Sequence, residues 1–174
     1  MKYNSDFHHR RAIRLKEYDY NQVGAYFVTI STQGRACLLG AVADGEMQLH
    51  EAGKMIERWW FELHRKFPMV ETDGFVIMPN HLHGVIVITD TIVGADLRVG
   101  RVRDGTDTAH QGAHIGAPLP AIIQWFKTMT TNEYIRGVKT ASWPSFDRRL
   151  WQRNYYEHVI RDDKSASDPT IHSR

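Results

Sequence analysis

Val76-Ile77-Met78-Pro79-Asn80-His81-Leu82-His83-Gly84-Val85-Ile86 is the stretch on which the reading of this chain turns. Met78-Pro79-Asn80 is a turn signal, since proline presets the backbone for a reversal and cannot continue a central strand. It separates two runs rich in β-branched and apolar residues, 70–78 and 81–89, which read as neighbouring antiparallel strands. Val85, Ile86, Val87 and Ile88 are continuously apolar, and that predicts a central strand buried on both faces. Alternate side chains of a strand share a face, so His81 and His83 stand side by side, roughly 6–7 Å apart at the backbone. Both rings can then converge on one divalent cation while Leu82 points into the core. Imidazole suits manganese, and a site that handles phosphodiesters also recruits magnesium through substrate oxygens. The pair sits at a sheet end beside a loop, where sites are commonly built. By itself the pattern is weak. Ten histidines in 174 residues produce about half an H-x-H by chance, and two ordinary strand histidines are the bland reading.

Working outward, residues 25–32 form a further strand, and 37–39 and 47–49 form short strands around the Asp44-Gly45 turn. Residues 52–67 read as a helix whose apolar face is Met55, Ile56, Trp59, Trp60 and Leu63, closed by Pro68. A second helix spans 119–136, with Ile122, Ile123, Phe126, Met129 and Thr130 on one face, Pro120 in its first turn and Gly137 as its C-terminal cap. Between them, residues 93–118 carry five glycines among small and charged residues and read as a long mobile loop. His110 and His114 in it read as exposed loop histidines. No internal repeat is visible. The expected organisation is one domain over 1–164 followed by a divergent tail, 165–174.

Hydrophobic residues make up 42% of the chain and aromatics 11%, which specifies a packed globular fold rather than disorder. Cys37 is the single cysteine, so a disulfide framework and a cysteine-based zinc site are excluded. Residues 1–16 hold no apolar signal core, and no stretch approaches the roughly 20 apolar residues of a membrane span. A soluble cytoplasmic protein is expected. The net charge of +2 says little, but its distribution says more. Arg10, Arg11, Arg14 and Lys16 form one group, and Lys127, Arg136 and Lys139 a second. Arg148, Arg149 and Arg153 form a third, interleaved with Trp143, Phe146, Trp151, Tyr155 and Tyr156. Cations alternating with aromatic rings suit single-stranded nucleic acid, the cations meeting phosphates and the rings stacking on bases. The competing reading is a solvated basic face over core aromatics.

The 76–86 stretch resembles the HUH motif of the REP-associated tyrosine transposases and their insertion-sequence relatives, the single-tyrosine branch of the HUH endonuclease superfamily. Other segments resemble the same family in the same order: His8-His9-Arg10-Arg11, Tyr26-Phe27-Val28-Thr29-Ile30, Phe126-Lys127, and Leu150-Trp151-Gln152-Arg153-Asn154-Tyr155-Tyr156-Glu157-His158-Val159-Ile160-Arg161. The similarity covers nearly the whole chain to about Lys164. It implies an α+β fold, a ferredoxin-like antiparallel sheet with helices packed on it. It also implies a divalent metal, Mg or Mn, held by His81 and His83, and single-stranded or hairpin DNA as partner, met by Arg10, Arg11, Arg14, Lys127, Arg148, Arg149 and Arg153. In the family a tyrosine hydroxyl attacks the scissile phosphate, leaving a 5′-phosphotyrosine and a free 3′-hydroxyl.

The chain departs from that pattern at its end. The family tyrosine, carried on a helix that often also completes the metal site, should fall near position 172, where this sequence has His172. Residues 165–174 are polar, short and contain Pro169, unsuited to a core helix; a frameshifted or prematurely ended reading frame would produce such a tail. Tyr155 and Tyr156 are weak substitutes, and Tyr134 reads as a partly buried helix aromatic. The expectation is a DNA transposase or single-strand endonuclease by ancestry that does not form the covalent adduct efficiently. The alternative is a protein that recognises hairpin DNA without cutting it. An unrelated metal hydrolase would need carboxylates at the pair, for which Asp73 and Asp90 are only loosely placed. Oligomeric state is left open, although loss of the C-terminal helix would expose an apolar strip and favour self-association.

Overall fold

The computed structural model describes residues 23–90 and 118–160. The basic arm with Arg10, Arg11, Arg14 and Lys16, the glycine-rich segment with His110 and His114, and the tail with His172 lie outside the described residues. In chain order the elements are strand β1 (Gly24–Ser31), a 3₁₀ turn (Gln33–Arg35), the hairpin β2 (Gly40–Ala43) and β3 (Glu46–Leu49), and helices α1 (Glu51–Phe61) and α2 (Leu63–Lys66). Strands β4 (Val70–Met78) and β5 (His81–Ile88), helix α3 (Leu119–Thr140) and strand β6 (Tyr156–Ile160) follow. The main sheet has the order β4-β5-β1-β6, and each neighbouring pair is antiparallel. Without the β2–β3 insertion this is the β-α-β-β-α-β arrangement of the ferredoxin-like fold, as the family resemblance implies.

The core lies between one face of the sheet and the helices. Along β5, Leu82, Gly84, Ile86 and Ile88 are buried, while His81, His83, Val85 and Val87 are only half-buried. The expectation that this strand is covered on both faces is therefore corrected. The strand is central in order, yet α1 and α3 cover one face, and the apolar Val85 and Val87 belong to the other. Gly84 explains how α1 docks. A methyl group there would overlap the six-membered ring of Trp60, so the missing side chain is a slot in which the fully buried indole lies, stacked on Phe75 at 5.8 Å and edge-on to Phe126 at 5.7 Å. Helix α1 is tied to α3 through Glu133, which accepts from the Trp59 indole N–H at 2.6 Å and pairs with Arg58.

Several boundaries differ from the sequence reading, each for a local reason. Residues 37–39 are not a strand. The Asp44-Gly45 turn has φ of 54° and 80°, the two left-handed residues of a tight hairpin loop, and Ala43 pairs directly with Glu46, which places the strand at Gly40–Ala43. Leu39 instead bridges two elements, its N–H donating to Pro79 O and its carbonyl accepting from His50 N. The predicted 52–67 helix is two, interrupted at Glu62 and ended at Phe67, whose extended φ and ψ match a residue preceding proline. Gly137 is not a cap. Helix α3 runs on to Thr140, and Gly137 is the flat spot against which Trp143 packs. Strand β4 is interrupted by a bulge between Thr72 and Phe75, which restores Phe75 to the core row opposite Gly84.

If the slot above Gly84 locks α1 onto the sheet, Gly84→Ala destabilises the fold by about 1–3 kcal/mol through overpacking. The loss is measured by urea unfolding, and Trp60→Phe in the Gly84→Ala background recovers part of it.

Candidate metal centre and nucleic-acid interface

The sheet face left open by the helices among the described residues carries the histidine pair because of register. His83 is opposite Thr29 and His81 opposite Ser31 on β1, while Val76 and Met78 flank them on β4. Paired residues of antiparallel strands share a face, so Thr29, His83 and Val76 form one row, extended by Tyr156 on β6. The next row is Val85, Phe27 and His158. The two-residue Pro79-Asn80 turn that starts β5 is clamped from the β1 side. Asn80 O accepts from both the N–H and the hydroxyl of Thr32, each at 2.9 Å, and Pro79 O accepts from Leu39 N at 3.0 Å.

The Nε2 atoms of His81 and His83 face each other at 3.1 Å, with ring planes 80° apart. His81 Nδ1 lies 2.7 Å from Asn80 Oδ1, and Asn80 Nδ2 donates to Arg35 O at 3.1 Å. The second bond fixes the orientation of the amide. Oδ1, an acceptor only, therefore takes a proton from His81 Nδ1, and His81 Nε2 is left with its lone pair directed at the partner ring. His83 Nδ1 lies 2.8 Å from the Thr29 hydroxyl, which can donate or accept. It accepts once His83 Nε2 is to serve as a ligand. Phe27 stacks on the His83 ring at 5.4 Å and 22°. Each imidazole thus has one nitrogen anchored and the other presented, the usual support for a metal-bound histidine.

Electrostatics favour the neutral, ligating form. The pKa of His81 is lowered from 6.5 by burial and then by the Arg35 guanidinium, and that of His83 by burial and then by His81. The donor set fits a divalent ion. At a separation of 3.1 Å both nitrogens could reach one such ion. Among the described residues no group of three or more His, Cys, Asp or Glu is assembled here, so two imidazoles are the candidate donors in this region. Asp73 sits in the β4 bulge, its carboxylate accepting from Gly74 N at 2.7 Å. Asp90 follows the far end of β5, roughly 23 Å along the strand from His83. Neither carboxylate belongs to the pair.

The other expected residues divide by position. Arg148, Arg149 and Arg153 are exposed on the segment between α3 and β6. Lys127 is not exposed beside them. It is 9% accessible, and its ammonium donates to the carbonyls of Gln152, Arg153 and Asn154 at 3.0–3.4 Å. It anchors the arginine-bearing segment from inside, and its Nζ lies 5.3 Å from the centroid of the half-buried Tyr155 ring. Tyr156 is 41% exposed on the open face, two strands from His83, hence about 9–10 Å away at the backbone. Tyr134 is a core aromatic. It is fully buried, donates to Pro144 O at 2.9 Å, and burial raises its pKa. Sequence reasoning missed Thr29 and Arg35. No spacing signal points to either, because both reach the pair only through the pairing of β1 with β5 and the 3₁₀ turn after β1.

Comparison with known proteins matches this geometry to a known fold. No family model matches the chain. A Haemophilus influenzae (strain Rd) protein, described only as an uncharacterized protein, is 40% identical over 164 residues, covering 94% of this chain and 86% of its own. A REP-associated tyrosine transposase, solved bound to a REP hairpin, superposes with a TM-score of 0.51 at 17% identity over 88% of this chain; this chain spans 65% of that one. A Deinococcus radiodurans R1 protein provisionally named a transposase has a TM-score of 0.48 at 12% identity, covering 88% of this chain and 89% of its own. No helix among the described residues is long and apolar enough to cross a membrane. The fold is that of the REP-associated tyrosine transposases, and the chain belongs to one family with the Haemophilus influenzae protein.

Proposed function

We propose that this chain is a transposase-type DNA-binding protein that holds a divalent cation between His81 and His83 and binds unpaired or hairpin DNA across the open sheet face. The observation that carries the reading is the convergence of two Nε2 atoms at 3.1 Å on the side of a ferredoxin-like sheet that no helix among the described residues covers. When bound, Mg²⁺ or Mn²⁺ supplies Lewis-acid polarisation of a phosphate. The chain's own residues do the rest. Asn80 and Thr29 hold the rings, and burial keeps them neutral. Arg35, whose charge already reaches His81, offers a cation to the phosphodiester. Arg148, Arg149 and Arg153 bind the backbone further along, with Arg10, Arg11 and Arg14 as further phosphate contacts. Lys127 acts by holding the arginine segment in place.

Strand cleavage in the resembled family joins a tyrosine oxygen to phosphorus and releases the 3′-hydroxyl. Position 172, where that tyrosine is expected, is a histidine. Tyr156 stands offset by two strands, and Tyr155 is half-buried beside Lys127. This favours a second reading within the first: recognition of DNA without efficient nicking. A cytoplasmic setting suits either.

Three outcomes test these assignments. Calorimetric titration with Mn²⁺ shows binding that His81→Ala or His83→Ala abolishes and that Asn80→Ala weakens by roughly 10–100-fold through loss of ring orientation. Ligation needs neutral rings, and both pKa values lie below 6.5. Mn²⁺ affinity therefore falls on acidification with a midpoint below that of an ordinary imidazole pair; a midpoint at or above 6.5 contradicts the assignment. Incubation with hairpin DNA and Mn²⁺ yields a gel shift whose affinity falls steeply with salt, yet no covalent band on a denaturing gel. A strong covalent band overturns the non-cleaving reading while leaving metal and DNA binding intact.

A further inference from the structure

Between α3 and the segment 146–153 lies a cavity of about 400 Å³. One wall is a polar stripe of α3, including Thr128, Thr131 and Asn132, at the spacing of a single helix face. The opposite wall carries Phe146 and the three arginines Arg148, Arg149 and Arg153, and no acidic residue among the described residues lines the space. The cavity is held open from within. Lys127 ties down the carbonyls of residues 152–154, and the Trp151 indole donates to Thr130 Oγ1 at 2.9 Å. Phe146 is half-buried, with its ring 5.5 Å from that of Tyr134. Arg148 has φ of 59°, a left-handed backbone uncommon for a residue with a side chain, and such conformations concentrate where a loop's aim matters. Among the described residues, Arg149 and Arg153 have no carboxylate partner, and Arg148 reaches only Asp147, at 4.0 Å with both side chains about 90% exposed.

A preformed space of this size suits one small ligand. Its chemistry is specific: an aromatic face, several polar side chains and a surplus of guanidinium groups suit a ligand that is flat at one end and anionic at the other. The wall is also joined to the metal region. Gln152 N donates to Ser31 O at 2.9 Å, Gln33 N donates to Leu150 O at 2.8 Å, and Thr32 bridges Trp151. Ser31 is the register partner of His81. The cavity wall is thus hydrogen-bonded to the end of β1 that carries the register partner of His81.

Building on the DNA-binding reading above, we infer that the cavity seats a single unpaired nucleotide of the bound strand, its base stacked on Phe146 and its phosphates among Arg148, Arg149 and Arg153. The site would act as a second grip that sets which phosphodiester lies over the metal pair.

The test uses the whole chain and a 20-nucleotide oligothymidine bearing 5-iododeoxyuridine at successive positions. Affinity is read by fluorescence anisotropy and cross-linked peptides by mass spectrometry. The expected result is binding, with a cross-link at Phe146. Phe146→Leu lowers affinity roughly five- to hundredfold, as loss of one base stack does, and Phe146→Tyr restores it. Arg149→Gln with Arg153→Gln leaves the core untouched, reduces the slope of log affinity against log salt by about 1.4 and removes the cross-link at Phe146, which keeps the test decisive if Phe146→Leu unfolds. Binding with cross-links confined to Phe27 or Tyr156, together with unchanged salt dependence in the arginine variant, overturns the nucleotide site but preserves DNA binding at the open face. Failure of the wild-type chain to bind either this oligonucleotide or a hairpin carrying it as a tail overturns both readings.

Discussion

The pairing register of β5 with β1 is the constraint from which the candidate site follows. Because strand side chains alternate, a slip of one residue would carry His81 and His83 into the helix-covered core and bring Leu82 to the open face. Gly84 and Trp60 oppose that slip. The glycine is the one position on the core side of β5 where a flat indole can lie against the backbone, and moving it by one residue would drive a side chain into the ring. The turn at Pro79-Asn80 adds a second lock, since its carbonyls are bonded by Thr32 and Leu39. Packing on one face thus determines chemistry on the other.

Polar support around the pair is short-range and directional. Asn80 is held by a backbone carbonyl and in turn sets the tautomer of His81, while Thr29 and Phe27 fix His83 from the neighbouring strand. Burial and the nearby Arg35 guanidinium disfavour protonation. These effects act in one direction, toward two neutral imidazoles. The same Arg35 that destabilises an imidazolium would attract a phosphodiester.

Lys127 shows how a motif residue can support an exposed segment from within. The charge grouping placed it among phosphate-binding cations, yet its ammonium is buried and donates to three backbone carbonyls. Its effect on the surface is indirect, through the position of Arg153 and its neighbours.

Much of the fold was legible from local signals. The 2.0-residue alternation on either side of Met78-Pro79-Asn80, the helical spacing of Met55, Ile56, Trp60 and Leu63, and the Pro120 start of α3 each report on backbone geometry within a few residues, so the β4–β5 hairpin and the two main helices followed from them. The side-by-side placement of His81 and His83 needed only strand periodicity. What could not be read locally depended on contacts between distant segments. One face of β5 stays half-open because both helices pack on the other; Gly137 continues a helix because Trp143 covers it; Thr29 and Arg35 join the histidines through pairings about 50 residues apart in sequence. Periodicity tells a residue which neighbours share its side, whereas only the folded arrangement decides whether that side meets a helix, a ligand or water.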